Sequence, residues 1–225
     1  FAHTFDLLLP PEKYFAEHPE YYALIDGKRT AKHLYSQPCL SNPDVLRIMI
    51  EGIRSWLRDN PEARLVSVSQ NDSFVIGSYC TCPACRAVNE EEGAPSGSLI
   101  RFVNAVAEAL EPEFPEVTFD TLAYQYSTQP PKLTHPRHNV AIRMCTGGCS
   151  SHPIPDCANN AGSADAIRGW SQICRQLYIW DYTTDFAQYL NPYPNFQTLQ
   201  DNIRFFRDHN VCGVFEQGNY NEGLS

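Results

Sequence analysis

Arg64-Leu-Val-Ser-Val-Ser-Gln-Asn-Asp72 opens as a short β-branched strand and closes on Gln70, Asn71 and Asp72. Four later runs have the same form. Val117–Thr121 is followed by Tyr124-Gln-Tyr126, and Asn139–Met144 ends around Arg143 and Thr146. Gln176–Trp180 runs into Asp181-Tyr182, and Val211–Phe215 into Glu216-Gln217. Each run is rich in β-branched or aromatic residues, which suit a pleated, half-buried surface. Helix signals fall between most of them. In Ser41-Asn42-Pro43-Asp44, a capping side chain precedes a proline in the first turn and an acid near the positive end of the dipole. The spacing predicts a helix there with Val45, Ile48, Met49 and Trp56 on its buried face, stopped by Asn60-Pro61. Further helices are predicted near 97–111 (Leu99, Phe102, Val103, Val106, Leu110 inward), near 164–174 around Trp170, and near 195–209, burying Phe196, Leu199, Ile203 and Phe206.

Strands alternating with helices imply a parallel sheet, either doubly wound or closed into a (β/α)8 barrel. No glycine-rich loop follows the early strands, which counts against a nucleotide-binding sheet. A barrel carries its chemistry on the loops after the carboxyl ends of its strands, and five successive polar and aromatic strand ends fit that rule. Phe1–Phe5 reads as the end of one more strand, giving about six. The expected fold is therefore α/β: an incomplete (β/α)8 barrel, forming one partial catalytic domain over residues 1–225 with its first strands and flanking domains missing.

The composition narrows the class. With 225 residues and 43% hydrophobic side chains, the chain can bury a substantial core. Seventeen basic against 26 acidic residues give a formal charge of -9, which argues against a nucleic-acid or anionic-membrane partner. No apolar stretch approaches the roughly 20 residues of a membrane span.

Asp72, Asp181 and Glu216 each follow an apolar strand and would converge at one barrel mouth. Carboxyl groups among tryptophan and tyrosine suit glycoside hydrolysis, because aromatic faces stack on sugar rings. The alternative is that strand-end acids cap helices or bind loop amides. Asn71 beside Asp72 suits substrate assistance: one group polarises a 2-acetamido oxygen that attacks the anomeric carbon while the acid protonates the leaving oxygen. His3 is placed to reach the same mouth, whereas His18, His33, His135, His138 and His209 read as surface or capping residues.

Nine cysteines cannot all pair internally. Cys80-x-Cys82-x-x-Cys85, with Cys39 as a fourth ligand, can hold a structural zinc; the same spacing also fits a disulfide plus a free thiol, or plain packing. Cys145, Cys149 and Cys157 flank a second loop with His152, and Cys174 and Cys212 read as inert core thiols.

Val66-Ser-Val-Ser-Gln-Asn-Asp72 and Tyr79-Cys-x-Cys-x-x-Cys85 together resemble glycoside hydrolase family 163, a bacterial family first catalogued as a domain of unknown function. Cys39-Leu-Ser-Asn-Pro43, Leu122-Ala-Tyr-Gln-Tyr126, Tyr178-Ile-Trp-Asp-Tyr-Thr-Thr184 and Gly213-Val-Phe-Glu-Gln-Gly218 extend the similarity over nearly the whole chain, in order. The resemblance implies a secreted, periplasmic or cell-surface endo-β-N-acetylglucosaminidase that cuts the chitobiose core of N-glycans with substrate assistance. It needs no catalytic cofactor, and its partner is a glycan or glycoprotein. On this reading Asp72 is the general acid/base, Asn71 orients the acetamide and Glu216 is the rival acid. Tyr124, Tyr126, Trp180 and Tyr182 stack on sugar, while His3, Arg143, Asp181 and Gln217 contact hydroxyls or hold the acid. A glycosidase of other specificity, a non-catalytic sugar-binding barrel and a zinc-stabilised interaction domain are the alternatives.

Overall fold

The computed structural model describes residues 2–32, 36–73 and 77–218; Phe1 lies outside them. Five parallel strands form the main sheet: β3 (Leu65–Ser67), β4 (Thr118–Ala123), β5 (Val140–Cys145), β6 (Leu177–Tyr182) and β7 (Val211–Gln217). Their order in the sheet is their order in the chain, so the strand order does not reverse. A separate hairpin, β1 (Leu24–Ile25) and β2 (Lys28–Arg29), precedes them. Its turn, Asp26-Gly27, has φ of 48° and 77°, the left-handed pair that a two-residue hairpin loop needs.

The helices are α1 (Phe5–Leu8), α2 (Pro11–Tyr14), α3 (Pro43–Asp59), α4 (Pro83–Glu92), α5 (Ser96–Leu110), α6 (Ala161–Ile173) and α7 (Phe196–Asp208). The Asn42 side chain caps α3 by accepting from the backbone N–H groups of Asp44 and Val45. The buried stripe of α3 is Val45, Met49, Ile53 and Leu57, while Ile48 and Trp56 sit at its margin, partly buried. This stripe packs on α5, which buries Leu99, Phe102, Val103, Val106 and Leu110. Each such side chain contributes about 1.5–3 kcal/mol by leaving water. Along the sheet, Val140, Ile142 and Met144, with Leu177 and Ile179, all face this core at 0% exposure.

Three expectations are corrected. Ala2–Thr4 forms no strand and Phe5–Leu8 is a helical turn; the Thr4 and Phe5 N–H groups both donate to the Ser69 carbonyl beyond the end of β3. Among the described residues the parallel strands therefore number five, not about six. In α7 the buried residues are Thr198, Asn202, Phe205 and Phe206, and Phe196 is 85% exposed. Polar anchors set that face: Asn202 Oδ1 accepts the Ile154 N–H, and Thr198 donates to backbone carbonyls. Apolar periodicity is blind to an interface built partly from amides. Lastly, Cys174 is buried but Cys212 is exposed, because it lies on β7, the last strand of the sheet.

Candidate active site at the carboxyl ends of the strands

A concave cavity of about 400 Å³ opens where β3 to β7 end, lined by His3, Asp72, Tyr124, Trp180, Tyr182 and Gln217, with Leu122, Cys145 and Phe186. Strand alternation explains this set. Trp180 and Tyr182 point to the same face of β6 and pair in register with Phe215 and Gln217 of β7. Leu122 and Tyr124 take the same face beside β5.

Among the described residues Asp72 is the one carboxylate in the cavity wall, and it accepts a hydrogen bond from the Tyr124 hydroxyl at 3.1 Å. His3 adopts a left-handed backbone (φ 59°), with its N–H donating to Ser69 Oγ. Its Nδ1 lies 2.8 Å from the Gln70 carbonyl. A carbonyl only accepts, so Nδ1 carries the proton and, in the neutral ring, Nε2 is left as an acceptor beside Tyr124. Trp180 Nε1 donates to Gln217 Oε1 at 2.7 Å, fixing the indole edge-on to Phe215. Tyr182 packs edge-on to Phe186.

Other sequence candidates lie elsewhere. Asn71 is buried and its amide is committed: Oδ1 accepts the Asp6 N–H, and Nδ2 donates to Asp6 Oδ1 and the Ser36 carbonyl. Tyr126 packs at a tilt against Tyr79, outside the cavity lining. Arg143 is pinned between Asp120 (Nη2 to Oδ2, 2.6 Å) and the Trp180 ring at 5.7 Å. Burial holds the Asp120 carboxyl up at about 6 even against that arginine. Asp181 and Glu216 are register partners one residue short of Tyr182 and Gln217, so they occupy the opposite face of the sheet. There Asp181 accepts from the Thr146 hydroxyl. Burial, and then the charge of Asp181, push Glu216 up to about 7.

The cysteines form two groups. Cys39, Cys80, Cys82 and Cys85 are all buried, with their sulfurs within 4.8 Å of one another. The donor atoms of Cys149, His152 and Cys157 also lie within 4.8 Å, but closer to solvent. Cys149 Sγ is 3.2 Å from His152 Nδ1, and that hydrogen bond is the main cause that brings the thiol down to about 7.

Cys145 and Phe186 belong to the cavity without having been singled out for it. Cys145 had a signal in its even spacing from Arg143 along β5; Phe186 comes from a loop and had none.

Fold and site define an α/β protein with an acid in an aromatic cavity at the carboxyl ends of a parallel sheet. The chain belongs to the family described as a domain of unknown function, DUF4838, whose profile matches residues 1–224. No curated protein matches it. No helix among the described residues is long and apolar enough to cross a membrane.

Proposed function

We propose that this domain is a retaining glycoside hydrolase acting on N-acetylglucosaminides, with the chitobiose core of N-glycans as its substrate. The observation that carries the reading is Asp72, hydrogen-bonded to Tyr124 inside a cavity walled by Tyr124, Trp180 and Tyr182. Parallel strands in chain order, with the cavity at their carboxyl ends, support an arc of a (β/α)8 barrel. So does the resemblance to glycoside hydrolase family 163, which also implies a secreted or surface setting.

In the reaction, Asp72 protonates the glycosidic oxygen as the substrate's acetamido oxygen closes on the anomeric carbon, giving an oxazolinium ion and the free leaving group. The Asp72 carboxylate then takes a proton from the water that opens that ion at the same face, so configuration is retained. Tyr124 donates to the Asp72 carboxyl and so fixes its orientation in the cavity. Because the Asn71 amide is committed to Asp6 and Ser36, the acetamide is held instead by the polar groups that face the cavity, the Tyr182 hydroxyl and the Gln217 amide. The Trp180 indole provides a stacking face for sugar.

A second reading makes Glu216 the acid, on the strength of its raised proton affinity. The test is release of free glycan from a complex N-glycoprotein, read by mass spectrometry for Asp72→Asn and Glu216→Gln beside the parent. Glycan ending in one reducing N-acetylglucosamine, lost in Asp72→Asn, supports the proposal. Loss in Glu216→Gln alone transfers the role, and glycan binding without any cleavage makes the domain a sugar-binding module.

A further inference from the structure

We propose that Cys39, Cys80, Cys82 and Cys85 hold one zinc ion as a closed tetrathiolate site, and that this site sets the position of the Asp72 loop.

The geometry is that of a metal site. Cys39 Sγ lies 3.7 Å from Cys82 Sγ and 3.8 Å from Cys85 Sγ. A tetrahedron of sulfurs at about 2.3 Å from a central zinc has edges of about 3.8 Å. A disulfide would draw two of the sulfurs to about 2.05 Å, and all four thiols are free.

Plain packing does not account for the cluster. Among the described residues the four thiols form a buried group separate from the main core, with Ala23 its only other buried member and Leu24 and Ile25 against it. That is too little apolar surface to justify gathering four sulfurs. The donors around them are also of the wrong kind for neutral thiols. The Leu24 N–H points at Cys80 Sγ at 3.4 Å and the Arg29 guanidinium at 3.6 Å. A zinc tetrathiolate carries two net negative charges, which N–H donors and a guanidinium stabilise.

The chain is built to deliver these ligands. Cys82 occupies the N-cap of α4, Pro83 begins its first turn, and Cys85 follows three residues on, so the two sulfurs meet on one side of the helix start. The β1–β2 hairpin supplies the N–H donors, and Cys39 arrives just before α3. Four thiolates in a tetrahedron select zinc over the harder divalent ions.

The link to Asp72 crosses one hydrogen-bonded step, with the chain itself completing it at both ends. Gln37, two residues before Cys39, clasps the backbone of Asn71 on both sides: Nε2 donates to the Asn71 carbonyl at 3.0 Å, and Oε1 accepts its N–H at 2.9 Å. Fixing Cys39 fixes Gln37, and Gln37 holds the residue beside Asp72. This makes Gln37 a positioning residue. That last step rests on the proposed role of Asp72; the metal site does not.

Elemental analysis and cobalt substitution of the protein purified under reducing conditions test the proposal. About one zinc per chain is expected, lost in Cys85→Ser and kept in Cys149→Ser. The cobalt form should show the strong sulfur-to-metal charge transfer and visible bands of a tetrahedral tetrathiolate, and the four thiols should react with a thiol reagent only after chelation. The cobalt spectrum is read on the unmutated chain, so a misfolded Cys85→Ser variant does not leave the question open. Absence of metal from protein offered zinc, iron in its place, a disulfide among the four, or zinc that follows Cys149 would each overturn it. For the positioning step, Gln37→Ala should keep its zinc and lose kcat with little change in KM. Unchanged kcat with zinc retained would overturn that step alone.

Discussion

Asn71 and Glu92, on the β3–β4 side of the sheet, are held in the opposite way to Glu216 and Cys149 on the β6–β7 side. On the β3–β4 flank, Asn71 and Glu92 are buried with every side-chain polar atom hydrogen-bonded. The Glu92 oxygens accept from the Leu133 and Thr134 N–H groups, the Thr134 hydroxyl and the Arg101 guanidinium. A side chain at Gly97 would collide with Glu92, so the start of α5 is shaped around this carboxylate. On the β6–β7 flank, Glu216 is half-buried, with Oε2 unbonded among the described residues, and Cys149 shares a hydrogen bond with His152 nearer the surface. On the first flank Asn71 and Glu92 are pre-organised and Glu92 is held as a carboxylate, while Asp120 of β4 is raised to about 6 by burial. The second keeps two groups poised near neutrality, Glu216 and Cys149, each at about 7. Protonation equilibrium alone therefore does not identify the acid. Asp72 lies in the aromatic cavity and Glu216 on the reverse of the sheet.

The largest effect expected follows from that contrast. Asp72→Asn should lower kcat on an N-acetylglucosaminide by about 10²–10⁴, the range general acid catalysis supplies, and Glu216→Gln by less than about tenfold. With an aryl leaving group that needs no protonation, the Asp72→Asn defect should shrink in the first step. Steady-state rates on paired alkyl and aryl substrates measure this. The reverse ranking would show that proton affinity outweighs placement.

How the sequence is read bears on the same point. The strands and the α3 cap were legible because β-branched runs and Asn42-Pro43 are local signals. The four-thiol grouping was legible from spacing, with Cys39 joining as the fourth member. The strand ends were legible only as one polar set. Period-two alternation divides that set, sending Tyr182 and Gln217 to the cavity and Asp181 and Glu216 away from it, and the division needs the register. Asn71 looked available because its partners, Asp6 and Ser36, are 65 and 35 residues away in the chain. The Asp26-Gly27 hairpin is different: its turn chemistry is a local signal that a closer reading finds.

Stability gives the next contrast, through two glutamates with opposite slopes. Burial would raise the Glu92 carboxyl, but its hydrogen bonds with Thr134, Leu133 and Arg101 prevail and hold it at about 2, below its ordinary 4.5. Its contribution is full above the ordinary value and is lost as pH falls through about 2. Glu216 runs the other way. Raised to about 7, it binds its proton more tightly in the folded chain, so folding weakens as pH climbs from 4.5 toward 7. Urea midpoints against pH should show both slopes. Glu92→Gln should cost about 2 kcal/mol at neutral pH, because two backbone N–H groups and a guanidinium lose a charged acceptor. Glu216→Gln should flatten the neutral slope without loss of stability at pH 7. A Glu92→Gln variant as stable as the parent would mean that flank is not held by its buried carboxylate.

The smallest effect on folding, and the sharpest chemical one, is expected at Cys149. Its thiol is brought to about 7 first by the hydrogen bond with His152, then by the Ser151 backbone, with smaller help from Cys157 and the His152 backbone. Burial pushes the Cys174 and Cys145 thiols up instead, to about 11 and about 12. Alkylation followed by peptide mass mapping should therefore label Cys149 before either, with a rate that rises through pH 7 and levels above it. His152→Ala should move that inflection upward toward an ordinary thiol, while Cys149→Ser should leave the melting temperature where it was. The test separates the flanks because it asks the same question of chemically identical groups. A thiolate forms near neutrality only where a donor lies within hydrogen-bond reach and water is close enough to share the charge, which the β6–β7 flank provides at Cys149 and the interior denies to Cys174. Cys149 labelling no faster than Cys174 would mean its loop packs as tightly as the opposite flank, and the contrast between the two sides would fall with it.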